Sequence, residues 1–311
     1  MTRAVEQLRA SEQLARSEHG GSSLLSQGRP LEEKFDRSVS LLSWAYNEEM
    51  NIAEYLARAS ALMDATTKDY EIILIDDGST DRTYEIAKSI QKQNPRLKIF
   101  QNGHNRGSGV SHRVAISKAS KDYLFWQTVD WSYDISDLRR CLEHLKSYDI
   151  VQGVRLGARP EDRGLGPVRQ VFHLFSSSHL NRRSDNLKKA LVSVINYVLV
   201  RTLFRVPVSD FQNVTFYPTG WIQSVHFEAS SAFANPEGLI KAYWNGMTIK
   251  EMPIGFIPRQ QGVGKGTRFR AIRAAVSDIL RLWFRWVIRG GRGNIRKGRV
   301  IPIADTPEPE S

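Results

Sequence analysis

A single cysteine, Cys141, excludes an intrachain disulfide and suits a reducing compartment. No apolar run reaches the roughly 18–20 residues that a membrane-spanning helix requires. The best candidate, ALVSVINYVLV at 190–200, is too short and is followed by Arg201. The N-terminus lacks the apolar stretch of a secretory signal. There is also no GxGxxG after the first predicted strand, and the acids of YNEEMN would repel a pyrophosphate there, which argues against a hydride-transfer dinucleotide enzyme. Acidic residues are scarce near the end of the chain. From Arg259 to Arg299 there are twelve Lys/Arg and one acid, Asp278, in a chain whose net charge is +11. The remainder is therefore near neutral, and this basic segment is the part that attracts an anionic partner. No RNA- or DNA-binding motif accompanies the charge, so nucleic acid is not the expected partner.

What is present is enough for a sizeable core: 311 residues, 41% hydrophobic and 25% charged. Residues 1–37 are polar and read as a loosely ordered extension with a short helix at 3–16. Strands are predicted at 38–46, 70–75, 97–102, 123–129 and 148–154. Helices are predicted at 47–63, with Asn47 as its cap, and at 80–93, 108–120 and 135–147. This alternation implies right-handed crossovers and an α/β fold with a mostly parallel sheet flanked by helices. Residues 271–299 read as a basic, amphipathic membrane-surface segment, and 300–311 as a disordered tail.

Ligands of such sheets bind at the carboxyl ends of the strands. Tyr46-Asn47-Glu48, Asp76-Asp77-Gly78, Asn105-Arg106-Gly107 and Asp130 all fall there. In IILIDDGSTDRT, Asp77 would serve as a helix cap and GST as the turn, but a single cap does not account for two adjacent carboxylates. Such carboxylates suit ribose hydroxyls or a base N–H, their mutual repulsion being tolerable at a solvated rim. The amides of GHNRGSG (103–109) suit an anion. Asp130 suits a divalent cation, or else caps the next segment.

YNEE (46–49), DDGSTD (76–81), NRGSG (105–109) and IKEMPIGFIPRQQGVGK (249–265) together resemble the family 2 glycosyltransferases, and more closely their dolichol-phosphate mannosyltransferase and polyprenyl-phosphate glycosyltransferase group. The resemblance covers about 38–270, which makes that stretch the catalytic domain. It implies a GT-A fold, a Rossmann-like nucleotide-sugar-binding architecture, and inverting transfer from a nucleotide-sugar donor. It assigns Tyr46, Asn47, Glu48, Asp76, Asp77 and Arg106 to the donor nucleotide. Asp130 matches the second aspartate of the metal-binding DxD, for Mg²⁺ or Mn²⁺, but the first position is Thr128, a poorer ligand for a hard cation. Arg155, Arg259 and Lys265 are the expected phosphate contacts. Asp210 is the candidate base if the acceptor is a hydroxyl. Glu237 reads equally well as an acid favouring its helix N-terminus.

The expected acceptor is a polyprenyl phosphate met at the cytoplasmic face of a membrane, with a glycan or lipid-linked hydroxyl as the alternative. A non-catalytic protein of the same fold is a further alternative, kept open by Thr128. Arg281, Arg285 and Arg289 recur every four residues beside Leu282, Trp283, Trp286 and Val287, the pattern of an interfacial helix. The competing reading is a helix packed on the domain with a solvated basic face.

Overall fold

The computed structural model describes residues 33–155, 197–255, 257, 269–290 and 296–303. The chain divides into two compact units, Met1–Glu33 and Lys34–Ser311, and every element below belongs to the second. The helix expected at 3–16 lies outside the described residues. Phe35 is fully buried and its N–H donates to the Thr66 carbonyl, so order begins before residue 38.

The first half alternates as expected: β1 (Val39–Ala45), α1 (Ile52–Thr66), β2 (Tyr70–Asp76), α2 (Thr83–Gln91), β3 (Leu97–Gln101), α3 (Ser108–Lys118), β4 (Tyr123–Trp126), α4 (Leu138–His144) and β5 (Ile150–Val154). Then follow a helical stretch at 197–204, β6 (Thr215–Pro218), α5 (Thr219–Ser224), α6 (Ala234–Trp244) and β7 (Thr248–Pro253). The chain ends in α7 (Phe269–Trp283), a π-helical continuation (Phe284–Arg289) and β8 (Arg299–Ile301).

One eight-stranded sheet runs in the order β3-β2-β1-β4-β6-β5-β7-β8. Only β6 is reversed, antiparallel to both β4 and β5. The reversal happens twice across β6, so β5 and β7 again point the same way as β1, β2 and β4. The carboxyl ends of β1, β2, β3, β4, β5 and β7 therefore share one rim.

Period-two alternation splits the strand side chains between two layers. Leu41, Ile72, Leu74 and Phe125 face one core with Ile52, Leu56 and Met63 of α1 and Leu138 and Leu142 of α4. Leu42, Ile73, Ile75 and Leu124 face the other with Ala115 and Ile116 of α3, Leu239 and Ile240 of α6, and Ile279 and Leu282 of α7. Each fully buried Leu or Ile contributes about 1.5–3 kcal/mol, so both faces of the sheet need their helices.

The final segment differs from its expected boundaries. β8 pairs in parallel with β7, and the fully buried Lys250 donates to the Pro302 carbonyl at 3.0 Å. The sheet thus runs past residue 270 and includes residues 300 and 301, placed in a disordered tail by sequence. Residues 304–311 lie outside the described residues.

Candidate active site

The rim is built from two loops latched together. The Asn47 amide donates to Ser79 Oγ at 3.0 Å, and Asn47 Oδ1 accepts from the Thr80 amide at 2.8 Å. The Glu48 amide donates to Thr83 Oγ1, and the Arg82 amide donates to Glu49 Oε2. Asn47 is consequently not a helix cap. It sits at φ 52° and ties β1 to β2, and α1 starts only at Ile52, after Asn51.

Asp76 and Asp77 are buried, not solvated. Their repulsion is relieved by five donors. Asp76 Oδ2 accepts from the Ser79 amide and from Gln101 Nε2 at 3.0 Å. Asp77 accepts from Asn102 Nδ2 at 2.8 Å, the Arg106 amide at 3.0 Å and the Gly107 amide at 2.9 Å. Asp77 is thus neither a cap for α2 nor an open ligand: the anion held by the glycine-rich loop's amides is this chain's own carboxylate. Asp76 Oδ1 is buried and accepts no hydrogen bond among the described residues. Gly78 lets the loops meet. Its φ is +70°, and a Cβ there would lie 2.5 Å from the His104 carbonyl carbon.

Beside this pair is a cavity of about 390 Å³ lined by Tyr46, the Gly78–Thr80 turn and the stretch 101–105. Gln101, Asn102 and His104 were not singled out by sequence reasoning. The only linear signal for them is their place between a predicted strand and the glycine-rich loop. Arg106 follows directly, its side chain exposed.

At the end of β4, Asp130 is half-buried and precedes Trp131, which holds φ 53°. A bulky residue in the left-handed region costs about 1–3 kcal/mol and is typical of a constrained site. Thr128 Oγ1 accepts from the Ser132 amide at 3.1 Å and lies 3.4 Å from Gln127 Oε1, so the hydroxyl at the first DxD position braces this turn. Among the described residues no group of three His, Cys, Asp or Glu side chains comes together to hold a metal. A hard divalent cation favours several charged oxygens, and one carboxylate does not fit it as a protein-built site.

Arg155 follows β5 and reaches the same rim. Its Nε and Nη2 donate to Asp210 Oδ2 and Oδ1 at 2.5 and 2.7 Å. The Gln212 amide also donates to Asp210 Oδ1 at 3.0 Å. Burial pushes the Arg155 guanidinium toward neutrality, but the charge of Asp210 overcomes this and holds it protonated. The loop after β4 is tied to the exit of β7: the Asp134 amide donates to the Gly255 carbonyl and the Ile257 amide to the Ser132 carbonyl. Arg259 and Lys265, a few residues on, lie outside the described residues. Glu237 is not at the rim. It is fully buried in α6 and accepts from the Glu228 and Ala229 amides and from Lys241, a structural role.

The family model described as Glycosyl transferase family 2 matches residues 40–206, more than half of the chain. The chain belongs to glycosyltransferase family 2. Among relatives of this family 2 chain, Glycosyltransferase AglD of Haloferax volcanii is 25% identical over 81% of this chain and 38% of its own length. Undecaprenyl-phosphate 4-deoxy-4-formamido-L-arabinose transferase of Edwardsiella ictaluri is 29% identical over 38% of this chain and 37% of its own. The chain thus spans well under half the length of these relatives. Among solved structures, mannosyltransferase PcManGT of Pyrobaculum calidifontis, in complex with GDP-Man and Mn²⁺, aligns with a TM-score of 0.54 at 16% identity. That alignment covers 83% of this chain and 66% of PcManGT. Glucosyl-3-phosphoglycerate synthase of Mycobacterium tuberculosis, with Mn²⁺ and UDP, gives 0.50 at 14% identity over 80% and 79% of the two chains. At these identities the likeness is one of fold, and the fold of this family 2 chain is GT-A.

Proposed function

We propose that this chain transfers a sugar, with inversion, from a nucleotide-sugar donor to a polyprenyl phosphate at the cytoplasmic face of a membrane. The observation that carries the reading is the rim cavity lined by Tyr46, the Gly78–Thr80 turn and residues 101–105, next to the buried Asp76, whose Oδ1 accepts no hydrogen bond among the described residues. The nucleoside lies in this cavity, and Asp77 acts by holding the 102–107 loop rather than by touching the ligand.

The acceptor half is supported by the Arg155–Asp210 pair. A hydroxyl acceptor needs a base, and the candidate carboxylate has both oxygens engaged by Arg155. A phosphate monoester is already ionised near neutral pH and needs none. Its oxygen attacks the anomeric carbon as the bond from that carbon to the diphosphate oxygen breaks. The nucleoside diphosphate leaves with the electron pair, and no proton moves. Arg259 and Lys265 neutralise the phosphates in this reading. No step is routed through a metal: Asp130, with the donor diphosphate and water, would hold Mg²⁺ or Mn²⁺ more weakly than a full DxD does. Of the two relatives named above, one carries undecaprenyl phosphate in its name.

The test is calorimetry with GDP-, UDP- and dTDP-sugars, with and without Mg²⁺ or Mn²⁺, on the wild type, Asp76→Asn and Thr128→Asp. One donor is expected to bind, about tenfold or more weakly to Asp76→Asn. Thr128→Asp is expected to increase the effect of the metal on that affinity. Absence of binding to all donors under every condition would leave the non-catalytic reading that Thr128 favours. A bound donor turned over only with sugar hydroxyls would move the acceptor to that class.

A further inference from the structure

The C-terminal helix presents an apolar surface that its sequence pattern misplaces. Leu282 is fully buried against the second core, and Trp286 packs on Phe204 and Trp244 at ring-centroid distances of 5.7 and 6.0 Å. Trp286 Nε1 donates to Glu228 Oε1 at 2.7 Å, and Arg285 pairs with the other oxygen of that carboxylate. Arg281 pairs with Asp278, which also accepts from the Ser230 and Ser231 amides. Much of the expected interfacial face is thus spent on holding the helix to the domain.

Among the described residues four large apolar side chains are exposed, and three of them are Leu280, Phe284 and Ile288 at 47, 46 and 53%. Their spacing of four, carried through the π-helical stretch, sets them in one line about 12 Å long. Isolated exposed apolar residues need no explanation, but an aligned set on a helix does. Cations accompany the line. Arg273 is exposed two turns before Leu280, and the Arg289 guanidinium lies 5.2 Å from the Phe284 ring centroid. Exposed Arg296, Lys297 and Arg299 follow in the chain. An apolar line with arginines at both ends is complementary to an anionic bilayer, whose headgroups take the charge and whose acyl boundary takes the side chains.

We propose that Leu280, Phe284 and Ile288 form a ridge that seats in the surface of an anionic bilayer, with Arg273 and Arg289 on lipid phosphates. The ridge takes its purpose from the lipid-acceptor reading but not its geometry. The test is co-sedimentation of the full chain with phosphatidylcholine vesicles, with and without about one third phosphatidylglycerol. The variants are the triple Leu280→Gln/Phe284→Gln/Ile288→Gln, the single Ile288→Glu and the pair Arg273→Gln/Arg289→Gln. Thermal melting checks that each variant is folded.

Wild type is expected to bind anionic vesicles, and both ridge variants to lose about tenfold or more of that partitioning. The arginine pair is expected to lose the preference for anionic lipid. Wild type that ignores anionic vesicles, or ridge variants that bind as wild type does, would overturn the proposal. So would a dimer in sedimentation velocity that dissociates in the ridge variants while vesicle binding stays unchanged, which would make the occupant a second copy. Transfer to a short, water-soluble prenyl phosphate separates the two readings. Transfer retained by a triple variant that no longer binds vesicles supports both. Vesicle binding that depends on the ridge, without transfer to any prenyl phosphate, keeps the ridge and removes the acceptor.

Discussion

Single residues at the rim are arranged less as open ligands than as braces. Asp77 and Thr128 each hold a loop, and Arg155 and Asp210 hold each other. Breaking a largely buried ion pair by removing one partner leaves an uncompensated charge, which costs about 3–5 kcal/mol, more than the pair itself is worth. Arg155→Met is therefore expected to destabilise the protein by about 3 kcal/mol in urea denaturation. The double variant Arg155→Met/Asp210→Leu should recover most of that loss. A double variant as unstable as the single would show that the pair is not the unit.

At the scale of elements, α3 carries a titration that its sequence hides. His112 is buried between Trp44 of β1 and Phe227, with ring centroids at 5.2 and 6.2 Å. Burial, helped by the neighbouring Arg113 charge, lowers its pKa from 6.5 to about 4. The folded state thus favours the neutral ring, whereas the unfolded chain protonates near 6.5. Its stabilising effect is complete above pH 6.5 and is lost as pH falls toward 4, by about 1 kcal/mol per pH unit. His112→Phe is expected to flatten the slope of stability between pH 6.5 and 5, measured by urea denaturation at several pH values. An unchanged slope would place the acid sensitivity in this window elsewhere, for instance on His144, whose pKa burial also lowers.

At the scale of the whole molecule, the chain's last described strand closes the sheet edge. Gly298 donates its amide to the Tyr243 carbonyl at 2.6 Å, and a Cβ there would lie 2.1 Å from the Met247 carbonyl oxygen. That contact is backbone against backbone, so it has no flexible side chain to yield. Gly298→Ala is expected to displace β8, expose the edge of β7 and cost about 1–3 kcal/mol in chemical denaturation. Unchanged stability would mean that β8 contributes little to the edge.

The α/β alternation and the polar clusters at the strand ends were legible in sequence because both depend on local periodicity: period two in strands, 3.6 in helices, and breaks where the chain turns. The family resemblance rests on the same short motifs. Boundaries and partners were not legible. Asn47 looks like a cap until Ser79 and Thr80, more than thirty residues on, are brought beside it. Asp77 looks like a nucleotide ligand until the 106–107 amides close on it. Leu282 and Trp286 look membrane-facing until Phe204 and Trp244 cover them. A periodic pattern fixes which residues share a face. Which of two apolar faces is buried depends on what the rest of the chain brings against it, and only the tertiary structure decides that.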